Sequence, residues 1–569
     1  MNFLGVCNGK DSGAAIIVDG EIIAAANEER FLRKKLTREF PVNSIEFVLK
    51  YSGLTLNEID YIGCGTWNGI DQEVTVPKFV EDIFYQLENE DVETKSIIKK
   101  RVQASLKSDK KYKEILFESL NEIDFPPERV LSCDHHYAHA LTGFYCSPFE
   151  EGIVFTADGR GDFRSVTLWE AKRGSGLKLI DFTTELTSPG ALYGFITKFL
   201  GFVPDRHEGK VTGLSARGQL TAAYDLLKKG FFYDEETKTI RSKIGSYYSP
   251  FTSAHVEDLF LELKNFSRED IAFAVQKLLE DTLIKFLSRH LQDLNVKSAN
   301  LCLAGGCFSN VKLNHELFKL PLIKNIYVFP QMGDGGNALG GALHAATTME
   351  KKSYFSLPTA YLGPEYSDDE ITQELKKHDL SFEELNTSKL IDRVIELLSN
   401  DKIVGWFQGR MEFGPRALGA RSILASATDV KITKILNERL HRNDFMPFAP
   451  ATINDTAKKC FIDWEPDHFS SRFMTLCYKC TPFLKEKCPS VVHVDNTARP
   501  QVVFQEDNPK YFKLLKKYIE TTGNPVLINT SFNHHEEPIV NSPYDAVRSL
   551  LKGNVDFLAI ENHLVHKSL

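Results

Sequence analysis

Two histidines in the segment CDHHYAHAL have the spacing of a metal-ligand pair. His135 and His139 are four residues apart, so they share one face of the chain if this segment is helical. Asp158 and Asp334 lie in glycine-rich turns after apolar strands, and their carboxylates can complete the set. Imidazole combined with carboxylate favours iron, manganese or zinc over magnesium. The alternative is that both histidines lie on a helix surface or in the core without a metal.

An arginine-rich stretch in the C-terminal part could bind anions. Arg410, Arg416 and Arg421 lie in the otherwise apolar run WFQGRMEFGPRALGARSIL, and Arg499 follows in HVDNTARPQVV. Arginines buried without anions carry a desolvation cost, whereas a guanidinium group matches phosphate or carboxylate bidentately. Further candidates follow an apolar strand, namely Asn529, Thr530, Ser531 and Asn533. The stretch therefore predicts a phosphate or carboxylate pocket, and the alternative is a capped turn with surface arginines.

The elements that would position the first set form a repeated pattern. Strands are predicted at residues 3–7, 14–18 and 21–26, with an acidic glycine-bearing loop after the first strand. Residues 152–183 repeat this arrangement of strand, acidic glycine loop, strand and strand. Glycine allows close backbone approach to phosphates, and a carboxylate can hold a cation against them. The repeat predicts an α/β, duplicated actin-like (ASKHA) ATPase fold, with two unrelated hairpins as the alternative.

Other turns of the N-terminal part predict nucleotide contacts. The chain has no GxxxxGK[ST] loop, so any ATP is bound by something other than a P-loop. The string ANLCLAGGCFSNVKLNHEL predicts a strand, a Gly-Gly turn suited to a ribose or adenine, and a helix. The nucleotide-binding candidates are Gly305, Gly306, Asn310, Gly333 and Gly335. Helices are also predicted across 80–125 and 255–292.

Length and composition limit the domain count and the function classes. With 569 residues the chain exceeds the size of one hydrophobic core, and we expect domains at 1–350 and 390–569 joined by a linker region at 351–389. A formal charge of −9 argues against nucleic acid as principal partner. The N-terminus lacks a signal-peptide pattern and no long apolar run occurs, which predicts a cytoplasmic enzyme without a membrane partner.

Ten cysteines are scattered along the chain. In a cytosolic setting most should be reduced and buried. One cluster contains a CxxC pair, Cys477 and Cys480, with Cys460 and Cys488 nearby. The outer cysteines lack a second close pair, so buried thiols are predicted here and a zinc site is the lesser alternative.

Nine short strings, in order along nearly the whole chain, together resemble the NodU/CmcH-type O-carbamoyltransferases. They are NEERFLRKK, HHYAHA, TADG, LAGGCFSNVKLN, GDGGNALG, GWFQGRMEFGPRALGARSIL, FMPFAPA, ARPQ and NTSFN. The resemblance implies an N-terminal actin-like domain, similar to the threonylcarbamoyl-transferring enzymes of tRNA modification, and a C-terminal α/β domain similar to YrdC. It further implies that the YrdC-like domain converts carbamoyl phosphate and ATP into carbamoyladenylate. The N-terminal domain would then transfer the carbamoyl group to an acceptor hydroxyl and release AMP.

Residue roles follow from the same resemblance, position by position. The iron-type metal ligands would be His135, His139, Asp158 and Asp334. The carbamoyl phosphate and ATP pocket would include Arg416, Arg442, Arg499 and Ser531, although LHRNDFMPFAP departs from the usual pattern around Arg442. Lys35 matches a lysine beside the transfer site. Fe²⁺, or Mn²⁺ or Zn²⁺ in its place, is the expected cofactor, and Mg²⁺ is a further candidate alongside ATP.

The first loop departs from the family. Many members have His-Asp-Ser where this chain has Lys10, Asp11 and Ser12, and that histidine is implied in transfer. Lysine is a poor base at neutral pH unless burial or cations such as Lys35 lower its pKa, and Asp11 is the alternative base. We therefore expect carbamoyl transfer to a hydroxyl of a sugar or other small specialised metabolite. The alternatives are transfer to a nitrogen nucleophile, or a regulatory homologue with an impaired transfer site. A homodimer is compatible with the sequence.

Overall fold

The computed structural model describes residues 1–66, 68–69, 71–88, 92–243, 257–350, 355, 357, 359–441 and 448–566. The chain divides into two compact units. The N-terminal unit contains residues 1–23, 38–41 and 49–357, and the C-terminal unit contains residues 24–37, 42–48 and 358–569. Residues 368–377, within the predicted linker region, form a helix of the C-terminal unit. Among the described residues, no helix is long and apolar enough to cross a membrane.

Two five-stranded sheets of the same strand order occur in the N-terminal half of the chain. The first sheet has the order β3-β2-β1-β4-β5 and consists of β1 (Asn2–Cys7), β2 (Gly13–Val18), β3 (Glu21–Asn27), β4 (Tyr61–Cys64) and β5 (Val130–Ser132). The second has the order β8-β7-β6-β11-β12 and consists of β6 (Glu151–Gly161), β7 (Arg164–Lys172), β8 (Gly176–Thr184), β11 (Ala299–Ala304) and β12 (Ile323–Val328). In the first sheet, β1 pairs antiparallel with β2 and parallel with β4, and β4 pairs parallel with β5. In the second sheet, β6 likewise pairs antiparallel with β7 and parallel with β11, and β11 pairs parallel with β12. The predicted strands of both segments are confirmed.

A small hairpin, β9 (Phe231–Asp234) with β10 (Thr239–Ser242), forms a separate sheet in this half of the chain. The helices of this half are α1 (Glu29–Leu32), α2 (Val42–Ser52), α3 (Thr75–Leu87), α4 (Val92–Glu122), α5 (His135–Tyr145), α6 (Pro189–Phe199), α7 (Glu208–Ser215), α8 (Ala222–Gly230), α9 (Glu257–Leu263), α10 (Arg268–Asp293), α11 (Val311–Phe318) and α12 (Asn337–Met349). Helices predicted across 80–125 and 255–292 are confirmed by α3, α4, α9 and α10.

Helix α12 lies very close to the first sheet because both surfaces are made of small residues. A Cβ atom on Gly5 of β1 would lie 1.9 Å from the carbonyl oxygen of Ala338. A Cβ on Gly63 of β4 would lie 1.9 Å from the carbonyl oxygen of Gly341. Any larger residue would push the helix off the sheet. This contact determines where the residues just before α12, among them Asp334, are placed.

The C-terminal unit contains an eight-stranded mixed sheet of order β13-β22-β21-β14-β15-β20-β16-β19. Its strands are β13 (Phe382–Glu384), β14 (Val404–Phe407), β15 (Arg421–Ser426), β16 (Ala449–Ile453), β19 (Gln501–Val503), β20 (Leu527–Ser531), β21 (Phe557–Ile560) and β22 (His563–His566), and a separate pair is formed by β17 (Tyr478–Lys479) and β18 (Thr497–Ala498). Its remaining helices are α13 (Asp368–Lys377), α14 (Thr387–Ser399), α15 (Lys431–Arg439), α16 (Asn454–Cys460), α17 (Pro482–Lys487), α18 (Pro509–Thr522) and α19 (Pro543–Leu551).

Helices α14 and α18 supply much of the apolar core of this unit. Both helices have one apolar face, and those faces pack with the inward side chains of the large sheet, including the fully buried Trp406. The loops that leave β14 and β20 therefore start from a rigid base. The loop after β14 carries Arg410 and Arg416, and the loop after β20 follows Ser531 directly, whereas Arg499 lies between β18 and β19.

Candidate functional site

Helix α5 places the two histidines as their spacing predicts. The Asp134 side chain caps the helix by accepting a hydrogen bond from the backbone N–H of Tyr137 at 2.9 Å. His135 is the first helical residue and His139 follows one turn later, so both imidazoles project from the same face. Both are buried, and their Nε2 atoms lie 3.2 Å apart.

Two carboxylates from distant parts of the chain reach these imidazoles. His139 Nε2 lies 3.5 Å from Asp158 Oδ2, and His135 Nε2 lies 3.6 Å from Asp334 Oδ1. One ligand atom from each of the four side chains lies within 4.8 Å of the other three. Donor atoms about 2.1 Å from a common ion are about 3.0 to 3.4 Å apart at tetrahedral or right angles. The donor set and its spacing therefore fit a transition-metal ion with little adjustment.

Asp158 projects from an interruption of its strand. The pairing of β6 with β7 is irregular between Ala157 and Gly161, so residues 158–160 leave the ladder. The backbone N–H of Gly306 donates to Asp158 Oδ2 at 2.6 Å. Gly161 lies directly against His135, because a Cβ there would be 2.1 Å from two ring carbons. The interrupted ladder thus orients a carboxylate and leaves room for an imidazole.

The electrostatics of this cluster are those of a site with excess negative charge. Burial lowers the pKa of His135. Burial also acts to lower the pKa of His139, but Asp158 and Asp334 overcome it and raise that pKa to about 9. Burial would raise the pKa of Asp158, yet hydrogen bonding and charge from His139 hold it well below its usual range. A proton on His139 balances the carboxylates here, and a divalent cation could take its place.

The neighbouring His136 differs from the pair. Its Nδ1 atom lies 2.7 Å from Thr156 Oγ1, and its side chain is completely buried. Burial holds its pKa well below the ordinary value, so it is neutral. His136 is therefore a core histidine that packs against β6 of the second sheet.

Lys10 and Asp11 lie in the turn between β1 and β2. Lys10 Nζ lies 2.8 Å from Asp205 Oδ1. Burial would lower the pKa of Lys10, but Asp205, Asp334 and Asp158 raise it above its ordinary value, so Lys10 carries its proton and cannot act as a base. Asp11 adopts a left-handed conformation with φ of 58°, and its carboxylate accepts a hydrogen bond from Gln331 at 3.1 Å.

Lys35, the third predicted catalytic residue, belongs to the C-terminal unit.

Some of the predicted nucleotide-binding residues form hydrogen bonds with other residues of the protein. Gly305 has φ of 104° and a Cβ there would meet Ala157, so glycine is required. Asn310 caps α11 by accepting a hydrogen bond from Leu313 at 3.1 Å, and it donates to Gln276 at 2.8 Å. Thus the Gly-Gly turn orients Asp158 through Gly306, and Asn310 stabilises a helix start. Gly333 and Gly335 flank Asp334, with Gly335 buried and Gly333 only half-buried.

In the C-terminal unit, the loop between β14 and β15 is organised by a carboxylate that sequence analysis missed. Glu412 is buried, and its Oε1 atom accepts three backbone hydrogen bonds. The donors are Leu418 at 2.7 Å, Ala420 at 2.7 Å and Arg421 at 3.0 Å. The available signal was an acidic residue surrounded by arginines in a glycine-rich run. Glu412 fixes the loop that carries Arg416.

The arginines of this region have different surroundings. Burial and the charge of Arg499 hold the pKa of Arg416 well below its ordinary value. Burial lowers the pKa of Arg499 to about 10, and its guanidinium makes no hydrogen bond or ion pair with any residue that the structure describes. Both side chains are half-buried, and an anion stabilises two neighbouring cations that are partly removed from water. Arg416 and Arg499 are therefore the candidates for an anion-binding pair among the described residues of this unit.

Other candidates of this region contact the protein itself. Arg421 is fully buried, stacks on Phe407 at 3.5 Å and donates to several backbone carbonyls, including that of Gly409 at 2.9 Å. Arg410 likewise donates to the carbonyl of Leu362 at 2.7 Å. The expectation that Arg421 binds a phosphate does not match this geometry, because its N–H groups point at the backbone.

Asn529 of β20 donates to the side chain of Gln501 in β19 at 2.7 Å and to the carbonyl of Ala417 at 3.2 Å. Ser531 ends β20 opposite Ser422 of β15 and is half-buried. Arg442 lies outside the described residues. The cysteines Cys460, Cys477, Cys480 and Cys488 are buried free thiols, as predicted, and the possible metal-binding groups among the described residues include no cysteine.

Comparisons with known proteins place this chain in a family. Residues 2–343 match the family model described as carbamoyltransferase N-terminus, and residues 395–567 match carbamoyltransferase C-terminus. An uncharacterized Synechocystis protein, sll1178, is 32% identical over 98% of this chain and 95% of its own length. Nodulation protein NolNO of Sinorhizobium fredii is 30% identical over 98% of this chain and 79% of its own. Nodulation protein U of that organism is 26% identical over 94% of both.

The solved structure of HypF from T. kodakarensis aligns with 62% of this chain and 48% of its own at 14% identity and a TM-score of 0.34. A likeness of that size carries no argument.

Proposed function

Because the chain belongs to the carbamoyltransferase family, we propose that this enzyme activates carbamoyl phosphate with ATP and carbamoylates a hydroxyl of a small metabolite. The C-terminal unit forms carbamoyladenylate, and the N-terminal unit transfers the carbamoyl group to the acceptor. The acceptor is a sugar or another specialised metabolite.

The observation that carries the proposal is the pair of half-buried arginines, Arg416 and Arg499. Partial burial lowers the pKa of both groups, and the charge of Arg499 lowers that of Arg416 further. Carbamoyl phosphate and the phosphates of ATP are anions that match the guanidinium fork and offset the cost of this partial burial. Ser531, at the end of β20, is a further proposed contact. Arg442 is retained in the proposed pocket on the family resemblance alone.

The first reaction must exchange one leaving group for another. Carbamoyl phosphate takes up one water and releases phosphate, which leaves carbamate. A carbamate oxygen then bonds to the α-phosphorus of ATP, and the bond to pyrophosphate breaks. The product is carbamoyladenylate. Arginine side chains can neutralise the phosphate charges on both sides of this exchange without proton transfer.

In the second reaction the acceptor oxygen bonds to the carbamoyl carbon and AMP leaves. The acceptor proton must pass to a base, and Asp11 is proposed for this because Lys10 is already protonated through Asp205. Lys10 is proposed to contribute positive charge near the leaving phosphate, and Lys35 is retained as a proposed catalytic residue on the family resemblance alone.

His135, His139, Asp158 and Asp334 would hold Fe²⁺, or Mn²⁺ or Zn²⁺. Such an ion supplies Lewis-acid polarisation and charge neutralisation when bound.

The fold proposal that accompanies this function is a duplicated actin-like domain followed by a YrdC-like domain. The support for the duplication is that the two N-terminal sheets share strand order and strand directions. Glycines 305, 306, 333 and 335 lie in turns at the strand ends of the second sheet, where such a fold binds phosphates.

A second candidate is carbamoyl transfer to a nitrogen nucleophile. The observation that favours it is Lys10, which replaces the family's histidine and carries a proton. A neutral amine attacks without prior removal of a proton, so it needs a general base less than an alcohol does.

The test is product analysis by mass spectrometry. The purified enzyme is incubated with ATP, carbamoyl phosphate and a panel of hydroxyl and amine acceptors. We expect AMP, pyrophosphate and an acceptor heavier by one carbamoyl group in place of hydrogen. Formation of ADP in place of AMP, or acceptor modification without ATP, would refute the adenylate route. A product formed only from amines would establish the second candidate.

A further inference from the structure

The segment Asn27–Lys35, with the sequence NEERFLRKK, is built into the C-terminal unit, although it lies near the N-terminus of the chain. The buried Glu28 side chain holds this segment in place through hydrogen bonds. This side chain is 1% exposed, and its Oε2 atom accepts from the backbone N–H of Ser44 at 2.8 Å and from the Ser44 hydroxyl at 2.7 Å. The backbone N–H of Ala25 donates to the carbonyl of Leu362 at 3.1 Å. The segment is therefore held rigidly before its arginines begin.

Arg30 forms a hydrogen bond with the loop that carries Arg416. Its Nη2 atom donates to the carbonyl oxygen of Gly414 at 2.8 Å, and the Arg30 side chain is buried. Gly414 has φ of 142°, a conformation that glycine adopts readily and other residues rarely do. Arg416 is two residues further along. A fixed Gly414 carbonyl thus fixes the direction in which the chain enters Arg416.

Arg33 forms hydrogen bonds with the loop that follows Ser531. Its Nη1 atom donates to the carbonyl of Ile539 and its Nη2 atom to that of Pro538, both at 2.7 Å. Its Nε atom lies 3.2 Å from Asp545 Oδ1. This loop doubles back on the end of β20, where the backbone N–H of Val540 donates to Phe532 at 2.8 Å. One short segment therefore contacts both loops that flank the proposed anion pocket.

We propose that Arg30 and Arg33 are positioning residues for the carbamoyl phosphate and ATP pocket, acting through the loops of Arg416 and Ser531. Neither arginine needs to touch the substrate. Each donates hydrogen bonds to backbone carbonyls, and a charged donor to a buried carbonyl is worth more than a neutral one. The inference rests on the proposed function for its kinetic consequence, but the ordering of the loops is independent of it.

The test compares Arg30→Gln with the wild-type chain and with Arg393→Gln. Arg393 is exposed on α14 and pairs with Glu396 and Glu383, so its replacement is a matched loss of one arginine from the same unit. Carbamoyl phosphate-dependent exchange of pyrophosphate into ATP measures the first reaction. Hydrogen–deuterium exchange of the peptide covering residues 409–420 measures the order of the loop without any substrate.

We expect Arg30→Gln to raise KM for carbamoyl phosphate by about 10-fold with a smaller change in kcat. Peptide 409–420 should exchange faster, whereas Arg393→Gln should change neither quantity. Wild-type exchange rates in that peptide, together with a wild-type KM, would overturn the inference. If the wild-type enzyme catalyses no pyrophosphate exchange, the proposed function fails and the peptide result alone decides the inference.

Arg33→Gln extends the test to the second loop, with the peptide covering residues 532–541 as its readout. If Arg30→Gln does not fold, as judged from circular dichroism and Tm, Arg30→Lys replaces it. Lysine keeps the charge but lacks the planar fork, so faster exchange in peptide 409–420 is again expected. Unchanged exchange in a folded Arg30→Lys chain would count against the inference.

Discussion

Replacing Gly161 by alanine should damage the four-residue cluster through a steric effect alone. A Cβ at this position would lie 2.1 Å from both Cγ and Cδ2 of His135. Carbon atoms in contact are about 3.5 Å apart or more, so the imidazole must move by about 1.4 Å. A metal–nitrogen bond is only about 2.1 Å long. The displaced Nε2 atom would therefore leave bonding distance of an ion held by the other three ligands.

The expected magnitude is a loss of metal affinity of about 100-fold, comparable to misplacing one ligand of a set. The assay is equilibrium dialysis of the metal-stripped protein against Fe²⁺ under anaerobic conditions, or against Zn²⁺, with the bound metal measured by mass spectrometry. His135→Asn, which removes the imidazole, provides the reference for complete loss of this ligand. Turnover with ATP and carbamoyl phosphate should fall in parallel.

Gly159→Ala is the matched control. It lies two residues earlier in the same interrupted strand, and a Cβ there would meet nothing within 4 Å of described protein. Its backbone N–H, which donates to Asp158, is unchanged by the substitution. Both variants should keep the Tm of the metal-free wild type to within a few degrees. If Gly161→Ala binds one ion per chain as tightly as Gly159→Ala, the proposed coordination by His135 is refuted.

Three further predictions concern the C-terminal unit. Arg499→Met should raise the Tm of the ligand-free protein, because it removes a half-buried cation whose pKa is lowered to about 10. The same substitution should abolish the rise in Tm caused by ATP, and a lower Tm without ligand would contradict this prediction. A lowered pKa means that the folded protein holds the proton of Arg499 less tightly than the unfolded chain does, so the stability of the ligand-free protein should increase as pH rises through about 10. Affinity for carbamoyl phosphate should fall over the same pH range because Arg499 loses its charge. Calorimetry on the wild type and on Arg499→Met measures both quantities. Glu412→Ala should lower the free energy of unfolding in urea by about 3 kcal/mol, because three backbone donors lose their acceptor, and Glu412→Gln by about 1 kcal/mol; equal losses would argue against this role.

Much of the secondary structure and one half of the four-residue cluster of histidines and aspartates could be predicted because they depend on neighbouring residues. Alternation and turn chemistry located the strands at residues 3–7 and 14–18, and β1 and β2 match them closely. The four-residue spacing of His135 and His139 required only that the segment be helical. The arginine-rich stretch indicated an anion pocket from composition alone.

The roles of individual arginines could not be predicted in this way. Arg416 and Arg421 occur five residues apart in the same run and have the same chemistry. Arg421 is surrounded by backbone carbonyls and an aromatic ring, whereas Arg416 is close to Arg499. What differs is the set of partners in space, and these come from residues far away in the sequence.

The amino-acid sequence by itself determined the local elements, the shared face of the histidine pair and the family resemblance, because each depends on residue order over short distances. Only the tertiary structure decided that Asp158 and Asp334 approach those histidines, that Gly161 must lack a side chain, and that Arg30 folds with the C-terminal unit. These facts depend on desolvation and steric exclusion. Desolvation and steric exclusion depend on which atoms come into contact after the chain has folded. The free-energy cost of either cannot therefore be assigned to a short stretch of sequence.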